Sequence, residues 1–357
     1  MASIVLARGI SAVLFPSVGF LPTAVTRNEV SDTEVSAENF AGLVFIDPET
    51  ESWDVSVFDR AVLRGDGFFE AISVIDGKIP VSLDLHLERL ATSAAALDMP
   101  RPDVEAFKTA CMEMIARYNG EHDESVYGHP AHGTAYGHDD LVHTDSMLRI
   151  VVSRGLDFGT GMGKKLGAGI PSVWMYLDGE GDTHSTDPVT MVSLTAGYDS
   201  TSSALAPWLL RGAKTLSYAV NMAAEREARR RGMTDALFIT TDKCVLESPY
   251  ASVVARFGNT LVTPDPAIGV LHGTTQQELF AYGRRVGLST QYRDVSVAEL
   301  KQADAAYQTR GGWVIPVSKL DTVDFAVDTE FVAAANHALH YEREAQEEEL
   351  LNDDYGI

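Results

Sequence analysis

One lysine in this chain sits in surroundings unlike those of the rest. Lys78, Lys108, Lys164, Lys165, Lys243, Lys301 and Lys319 fall in turns, on charged helix faces or in a glycine-rich loop, where a solvated ammonium is expected. Lys214 follows "APWLLRGA" and precedes "TLSYAV", so its environment is expected to be largely apolar. A buried ammonium must be paired, neutralised or covalently occupied. Desolvation lowers a lysine pKa, and the neutral amine can form a Schiff base with an aldehyde. A lysine that snorkels out of an apolar wall is the commoner arrangement.

Three further groups could act with it. Glu247, in "CVLESPYASVV", reads as a carboxylate inside an apolar strand, and Glu is rarely buried without a partner. It could pair with an arginine, or hold a pyridinium nitrogen protonated and so make a pyridoxal ring an electron sink. In "IGVLHGTTQQELF", Thr275 and Glu278 have capping-box spacing, and a helix is expected to start there. The amides of such a start form an anion site, or simply a well-capped helix end. Arg89 in "HLERL" offers a fork that meets a phosphate bidentately, or an ordinary exposed helix arginine. None of the four is specific alone. Together they are the attachments that pyridoxal phosphate needs.

The elements that must carry these groups alternate between strand and helix. "GLVFID" and "FEAISVIDGKIPVS" read as strands, with Asp76-Gly77 as a hairpin turn. Leu83, Leu87, Leu90, Ala94 and Leu97 have helical spacing, as do Phe107, Cys111, Met114 and Ile115. "MLRIVVSRG", "SVWMYLD" and "TMVSLTA" read as buried strands, and 235–263 as a strand meander turning at Thr241-Asp242-Lys243 and at Gly258-Asn259. A helix is expected after Lys214 and another in "GTTQQELFAYGRRVGL"; "TRGG" reads as a loop before a short strand, and the acidic tail as a frayed helix end. The expected organisation is an N-terminal α/β domain over 1–179, a linker over 180–188 and a C-terminal domain over 189–357. Within the first, a His-rich insertion at about 120–145 has no metal-ligand spacing, so no metal is expected. The mixture is an α+β, two-domain fold.

Composition narrows the function. A net charge of −23 argues against nucleic-acid binding, which needs a basic face. The two cysteines, Cys111 and Cys244, make neither a disulfide framework nor a CxxC pattern, which suits a reducing, cytoplasmic setting. Arg8, Gly9, Pro16 and Pro22 interrupt the apolar N-terminal stretch, so no membrane span is expected there. It also lacks the basic start and small-residue cleavage site of a signal peptide, and an early strand is expected instead.

The segment "DRAVLRGDGFFEAISVIDGKIPVSLDLHLERL" resembles the N-terminal signature of class IV aminotransferases, the fold type IV pyridoxal-phosphate enzymes. "KTLSYAVNMAAEREARRRG", "VLESPYASVV" and "IGVLHGTTQ" resemble that family's later blocks, in the same order. The likeness runs from roughly Gly42 to Leu320 and is greatest to 4-amino-4-deoxychorismate lyase-like members, with branched-chain aminotransferases a little further off. It implies the D-amino-acid aminotransferase-like fold, with a smaller N-terminal and a larger C-terminal domain that binds pyridoxal 5'-phosphate. It implies Lys214 as the covalent lysine and base, Glu247 as the pyridine-nitrogen carboxylate and Arg89 as the phosphate arginine. It places Thr274 and Thr275 at the phosphate helix and Tyr218 and Thr309 among the cofactor contacts. A homodimer acting on a small-molecule amino substrate is implied as well.

Several positions depart from the family pattern. Ser217 and Ser252 stand where many relatives have asparagine. Arg310 stands where relatives place Ser or Thr beside the phosphate, which raises the expectation that it reaches a substrate carboxylate instead. "SRGLDFGTG" lacks the Arg-x-His carboxylate trap of D-amino-acid aminotransferases. The expected activity is lyase, giving 4-aminobenzoate and pyruvate in folate synthesis. Transamination of branched-chain or other amino acids is the alternative, and a degenerate, non-catalytic relative a second one.

Overall fold

In the computed structural model of the protein, the described residues are 10–15, 44–46, 55, 59–121, 146–155, 171–178, 186–343 and 350. The His-rich insertion, most of the 180–188 linker and the acidic end of the tail lie outside them. The chain divides into two compact units, Met1–Thr183 with Lys214–Ser217, and His184–Ala213 with Tyr218–Ile357. Among the described residues no helix is long and apolar enough to cross a membrane.

The first unit is built on one antiparallel sheet. Its strands are β1 (Ile10–Phe15), β2 (Val44–Ile46), β3 (Gly67–Ile75), β4 (Ile79–Pro80), β5 (Ser146–Ser153) and β6 (Ser172–Asp178), in the spatial order β2-β1-β6-β5-β3-β4. β1 is the strand expected in the apolar N-terminal stretch. The β3–β4 connection takes in Lys78 besides Asp76 and Gly77, because Ile75 pairs with Ile79; Asp76 and Gly77 both have positive φ, at 51° and 62°.

Among the described residues this unit carries the helices α1 (Arg60–Arg64), α2 (Leu83–Ala96) and α3 (Val104–Glu121). The residues whose spacing predicted α2 and α3 are the ones they bury, from Leu87 and Cys111 at 0% exposure to Leu83 at 8%. Each buried Leu, Ile, Phe or Met among them contributes about 1.5–3 kcal/mol as an upper estimate. That burial fixes which face of α2 turns inward, and with it where the polar residues of that face point.

The second unit carries β7 (Val189–Thr195), β8 (Asp235–Ile239), β9 (Ser252–Phe257), β10 (Thr260–Thr263), β11 (Ser289–Tyr292), β12 (Ala305–Arg310), β13 (Trp313–Leu320) and β14 (Val323–Asp324). Their order is β11-β10-β9-β12-β13-β7-β8, with β14 beside β13. The helices are α4 (Ser202–Leu205), α5 (Ala219–Arg230), α6 (Thr274–Arg285), α7 (Val297–Leu300) and α8 (Thr329–Tyr341). Strand alternation gives the sheet two apolar faces. One buries Ala306, Val253, Met191 and Val317. On the other, Tyr307 and Val314 pack against Leu279 and Phe280 of α6 and Leu339 of α8.

Candidate active site

Lys214 lies not at a helix mouth but on a short extension of the first unit's sheet. Phe69 N donates to Lys214 O at 3.0 Å and Leu216 N to Gly67 O at 2.9 Å, so residues 214–216 run along the outer edge of β3. Gly67 permits this approach, since a Cβ there would meet Val152 O and the Leu216 side chain. Ser93 Oγ of α2 accepts from Lys214 N at 3.1 Å, and Ser217 Oγ donates to Gly65 O at 3.2 Å. The half-buried Lys214 side chain shares the face of Phe69, with Nζ 4.6 Å from that ring's centroid. The helix expected directly after the lysine begins only at Ala219, with Tyr218 in the N-cap position and its ring 5.6 Å from that of Tyr250.

The opposite face of β3 holds a buried polar triad. Glu70, fully buried, accepts from Arg89 Nε at 2.8 Å and Nη2 at 2.7 Å, and its Oε2 lies 2.6 Å from His86 Nδ1. Arg89, expected either on a phosphate or exposed on a helix, therefore spends two donors on a carboxylate. Burial alone would raise the Glu70 carboxyl; Arg89, then His86, outweigh it and hold Glu70 well below the usual carboxylate range. Burial lowers His86, against the pull of Glu70, and the charges of Arg89 and Lys214 add to the lowering. His86 is then neutral and donates from Nδ1.

Sequence reasoning missed Glu70 and His86. The signal was present: a carboxylate in the apolar run "GFFEAIS", and a histidine three residues before Arg89 on the same helix face.

The lowered pKa of His86 sets a pH dependence. The unfolded chain protonates this group near 6.5 while the folded chain does not, so the unfolded state binds more protons and stability rises with pH. The stability advantage of wild type over His86→Asn is expected to be full at pH 7 and to shrink toward pH 5. Urea unfolding of both proteins at pH 5, 6 and 7 checks this; an advantage that grows on acidification would contradict it.

In the second unit, α6 starts at Thr274 with Gly273 as its N-cap, not at Thr275. The expected capping box does not form. Thr275 Oγ1 instead accepts from Gly312 N at 2.9 Å, and Glu278 pairs with Arg343 at 2.8 Å. Gly273 has no side chain to cap the first turn, and a Cβ there would collide with Ser252 Oγ. Beside this start lies Thr309, on β12 and paired in register with Ser252. Thr309 shares the face of Tyr307, which packs on α6. Its hydroxyl is buried, at 3% exposure for the residue, with no hydrogen-bond partner among the described residues. A helix start without a side-chain cap, beside an unsatisfied hydroxyl, fits a phosphate.

Glu247 is half-buried and lies outside regular strand, correcting the expectation of a buried strand carboxylate. Its backbone O accepts from Phe238 N at 2.9 Å and its Oε2 from Leu271 N at 3.1 Å, which fixes the carboxylate's orientation. Arg310 ends β12 instead of lying in the loop. Gly311 and Gly312, at φ 55° and 80°, make the tight turn to Trp313. Alternation sends Arg310 to the face opposite Thr309, beside Gln308, whose Nε2 donates to Asp235 Oδ2 and Ser248 Oγ, both at 2.8 Å. Arg310 is thus no part of the Thr309–α6 cradle. Its Nε is buried without a hydrogen-bond partner among the described residues.

The family model for amino-transferase class IV matches residues 67–320. The chain belongs to the class IV aminotransferase family, whose members are pyridoxal-phosphate-dependent transaminases or lyases. It is 32% identical over 267 residues to a bifunctional aminodeoxychorismate lyase / D-amino acid transaminase of Mycobacterium tuberculosis, covering 72% of this chain and 80% of that one. Among solved structures, a fold IV transaminase from Curtobacterium pusillum has 31% identity and a TM-score of 0.74, over 92% of this chain and 98% of that one. The pyridoxal-phosphate-bound form of a hypothetical aminotransferase from Mycobacterium tuberculosis has 29% identity and a TM-score of 0.69, over 84% and 97%. The two-domain architecture, with its mixed helices and sheets, is that of the fold type IV enzymes.

Proposed function

We propose that the protein binds pyridoxal 5'-phosphate through Lys214, Glu247 and the start of α6, and uses it as a 4-amino-4-deoxychorismate lyase. The observation that carries the cofactor is the buried, unsatisfied Thr309 hydroxyl beside a helix start that glycine leaves without a side-chain cap. When bound, this cofactor supplies an aldehyde and an electron-withdrawing ring that takes up charge from the carbon losing its proton. The Lys214 amine takes that proton. Glu247, oriented by Leu271 N, keeps a proton on the ring nitrogen. Thr309 and the first turn of α6 hold the phosphate, and Tyr218 completes the ring's surroundings. For the lyase reaction the Lys214 amine would remove the proton, and the C–O bond to the enolpyruvyl group would break as the ring becomes aromatic. The departing enolate would take a proton at its methylene carbon, from Lys214 or water, to become pyruvate. A transaminase must instead return the abstracted proton at a second carbon.

The lyase reading has two supports: the likeness of "KTLSY" and the "DRAVLRGDGFFE" block to lyases, and Arg310. Arg310 lies close enough to the buried Asp235 carboxylate for its charge to favour that group's ionised form, yet its own buried Nε has no hydrogen-bond partner among the described residues. A spare buried donor favours a substrate with two carboxylates over an aliphatic one, since a buried donor left unsatisfied is costly. Arg310→Leu is expected to raise KM for the dianionic substrate about 10-fold or more, the worth of one charged hydrogen bond, with kcat changed less. The deciding assay follows 4-aminobenzoate and pyruvate in one tube, and glutamate formed from leucine and 2-oxoglutarate in another. Leucine turnover without aromatic product reverses the order of the two activities, and neither product leaves the degenerate relative. An unchanged KM in Arg310→Leu removes that residue from the substrate site.

A homodimer in the cytoplasm completes the reading. Leu205 and Trp208 are 73% and 74% exposed, and neighbouring Leu209 is exposed too, an apolar group that a second copy would cover. Light scattering coupled to gel filtration tests it: a monomer at micromolar concentration refutes the dimer.

A further inference from the structure

The polar residues on the inner side of α8 converge on the turn between β12 and β13 and on the first turns of α6. Asn336 grips both backbone groups of Val314: its Oδ1 accepts from Val314 N at 2.7 Å and its Nδ2 donates to Val314 O at 3.0 Å. One helical turn later, His340 Nε2 donates to Gly312 O at 2.9 Å. Arg343, just past the helix, donates to Glu278 of α6 at 2.8 Å. Positions 336 and 340 are spaced i, i+4 on one helix face, and Arg343 follows the helix's end. Asn336, His340 and Glu278 are all at least 95% buried.

Apolar packing of α8 is already supplied by Val332, Ala335 and Leu339. These polar residues add directional bonds: Asn336 to the β13 backbone at Val314, the residue paired with Thr309, His340 to the tight turn at Gly312, and Arg343 to the side of α6. The turn in turn donates from Gly312 N to Thr275 Oγ1, the second residue of α6. A continuous path therefore runs from His340 through the Gly312 peptide to the helix start, with Thr309 three residues before Gly312 on the same hairpin.

We infer that Asn336, His340 and Arg343 form a clamp that sets the phosphate-binding geometry, with His340 a positioning residue that acts through Gly312 and Thr275. This rests on the proposal that the α6 start and Thr309 hold a phosphate. A tight glycine turn is a soft element, since Gly311 and Gly312 can adopt many backbone conformations. Holding it in one of them fixes both the Thr309 hydroxyl and the orientation of Thr275 before the anion arrives. The ordering cost of binding is then met by the fold rather than by the ligand.

The test compares the affinity of the full-length apo protein for pyridoxal phosphate with its affinity for pyridoxal, which lacks the phosphate. His340→Phe is expected to weaken pyridoxal phosphate about tenfold, the worth of one buried hydrogen bond, while pyridoxal is little affected. His340→Gln, which keeps an N–H donor for Gly312 O, is expected to recover most of the loss. In a Thr275→Val background, which cuts the path, His340→Phe should add little, so the double-mutant cycle is non-additive. Equal weakening of both ligands, or additive effects of the two substitutions, would show that His340 only supports the fold. If His340→Phe does not fold, His340→Leu, which also removes the donor but is no larger than the imidazole, takes its place in the ligand comparison and in the cycle with Thr275→Val, judged by the same criterion. Failure of the wild-type protein to bind pyridoxal phosphate overturns the functional reading itself, and is a different outcome from wild-type binding with an unchanged ratio in the variants.

Discussion

Lys214→Ala is expected to lose turnover by about 10⁴-fold or more, because in the proposed reaction one amine both holds the cofactor and moves the proton. The folded protein should survive the change. Residues 214–216 are fixed to β3 by backbone bonds at 3.0 and 2.9 Å, and Ser93 receives the Lys214 amide, so the side chain contributes little to that edge. What the side chain meets is the Phe69 ring, a contact that favours a cation by about 0.5–2 kcal/mol and places the nitrogen on the face away from Glu70. Borohydride reduction of the wild-type protein with bound pyridoxal phosphate, then peptide mapping, should put the label on Lys214 and on no other lysine. A labelled Lys243 or Lys319, or a Lys214→Ala variant with more than a hundredth of wild-type turnover, would remove the lysine from the centre of the reaction.

Why Lys214 could be singled out from sequence, while its neighbours could not, follows from the range of the forces involved. The helical spacings of α2 and α3 are local, and the burial of Leu87, Leu90, Cys111 and Met114 matches them. The apolar flank that drew attention to Lys214 is local too, but Trp208 and Leu209 are exposed, and the apolar group the lysine meets is Phe69, from a distant strand. The capping box at Thr275 and Glu278 was equally local, and it fails for a non-local reason. Gly312 lies 37 residues from Thr275, and Arg343 lies 65 residues from Glu278; each draws off a side chain that would otherwise close on its own helix. The start of α6 is left without a side-chain cap by that competition, which no window around "GTTQQE" contains.

Arg89 shows the same limit from the other side. Its helix and its inward face are readable from Leu83, Leu87 and Leu90, but its partner Glu70 comes from a strand 19 residues earlier. Arg310 was legible as a departure from the family pattern. The side of the sheet it faces depends on the register of β12 with β9 and β13, which a one-residue shift would reverse.

Glu70→Gln is expected to cost about 3–5 kcal/mol of stability, the usual loss when one partner of a buried ion pair is removed and the other stays charged. Glu70 has no exposed surface, and its two oxygens receive Arg89 Nε, Arg89 Nη2 and His86 Nδ1 between them. An amide keeps only one acceptor oxygen and turns an NH2 group toward guanidinium donors. The carboxyl's depressed pKa gives the same sign on acidification. The stabilisation Glu70 provides is present above its unfolded pKa near 4.5 and is lost as pH falls below that value. A second variant separates fold from function. In Glu70→Met with Arg89→Met no buried charge is left unpaired, and apolar replacement of a buried pair is often neutral, so much of the stability should return. Cofactor retention should not return with it if Arg89 also serves the phosphate. Urea unfolding at pH 7 and the affinity for pyridoxal phosphate, measured on both variants, give the two readouts independently. A single variant within about 1 kcal/mol of wild type would mean that the triad does not fasten α2 to β3. A double variant with wild-type affinity would mean that Arg89 belongs to the fold alone.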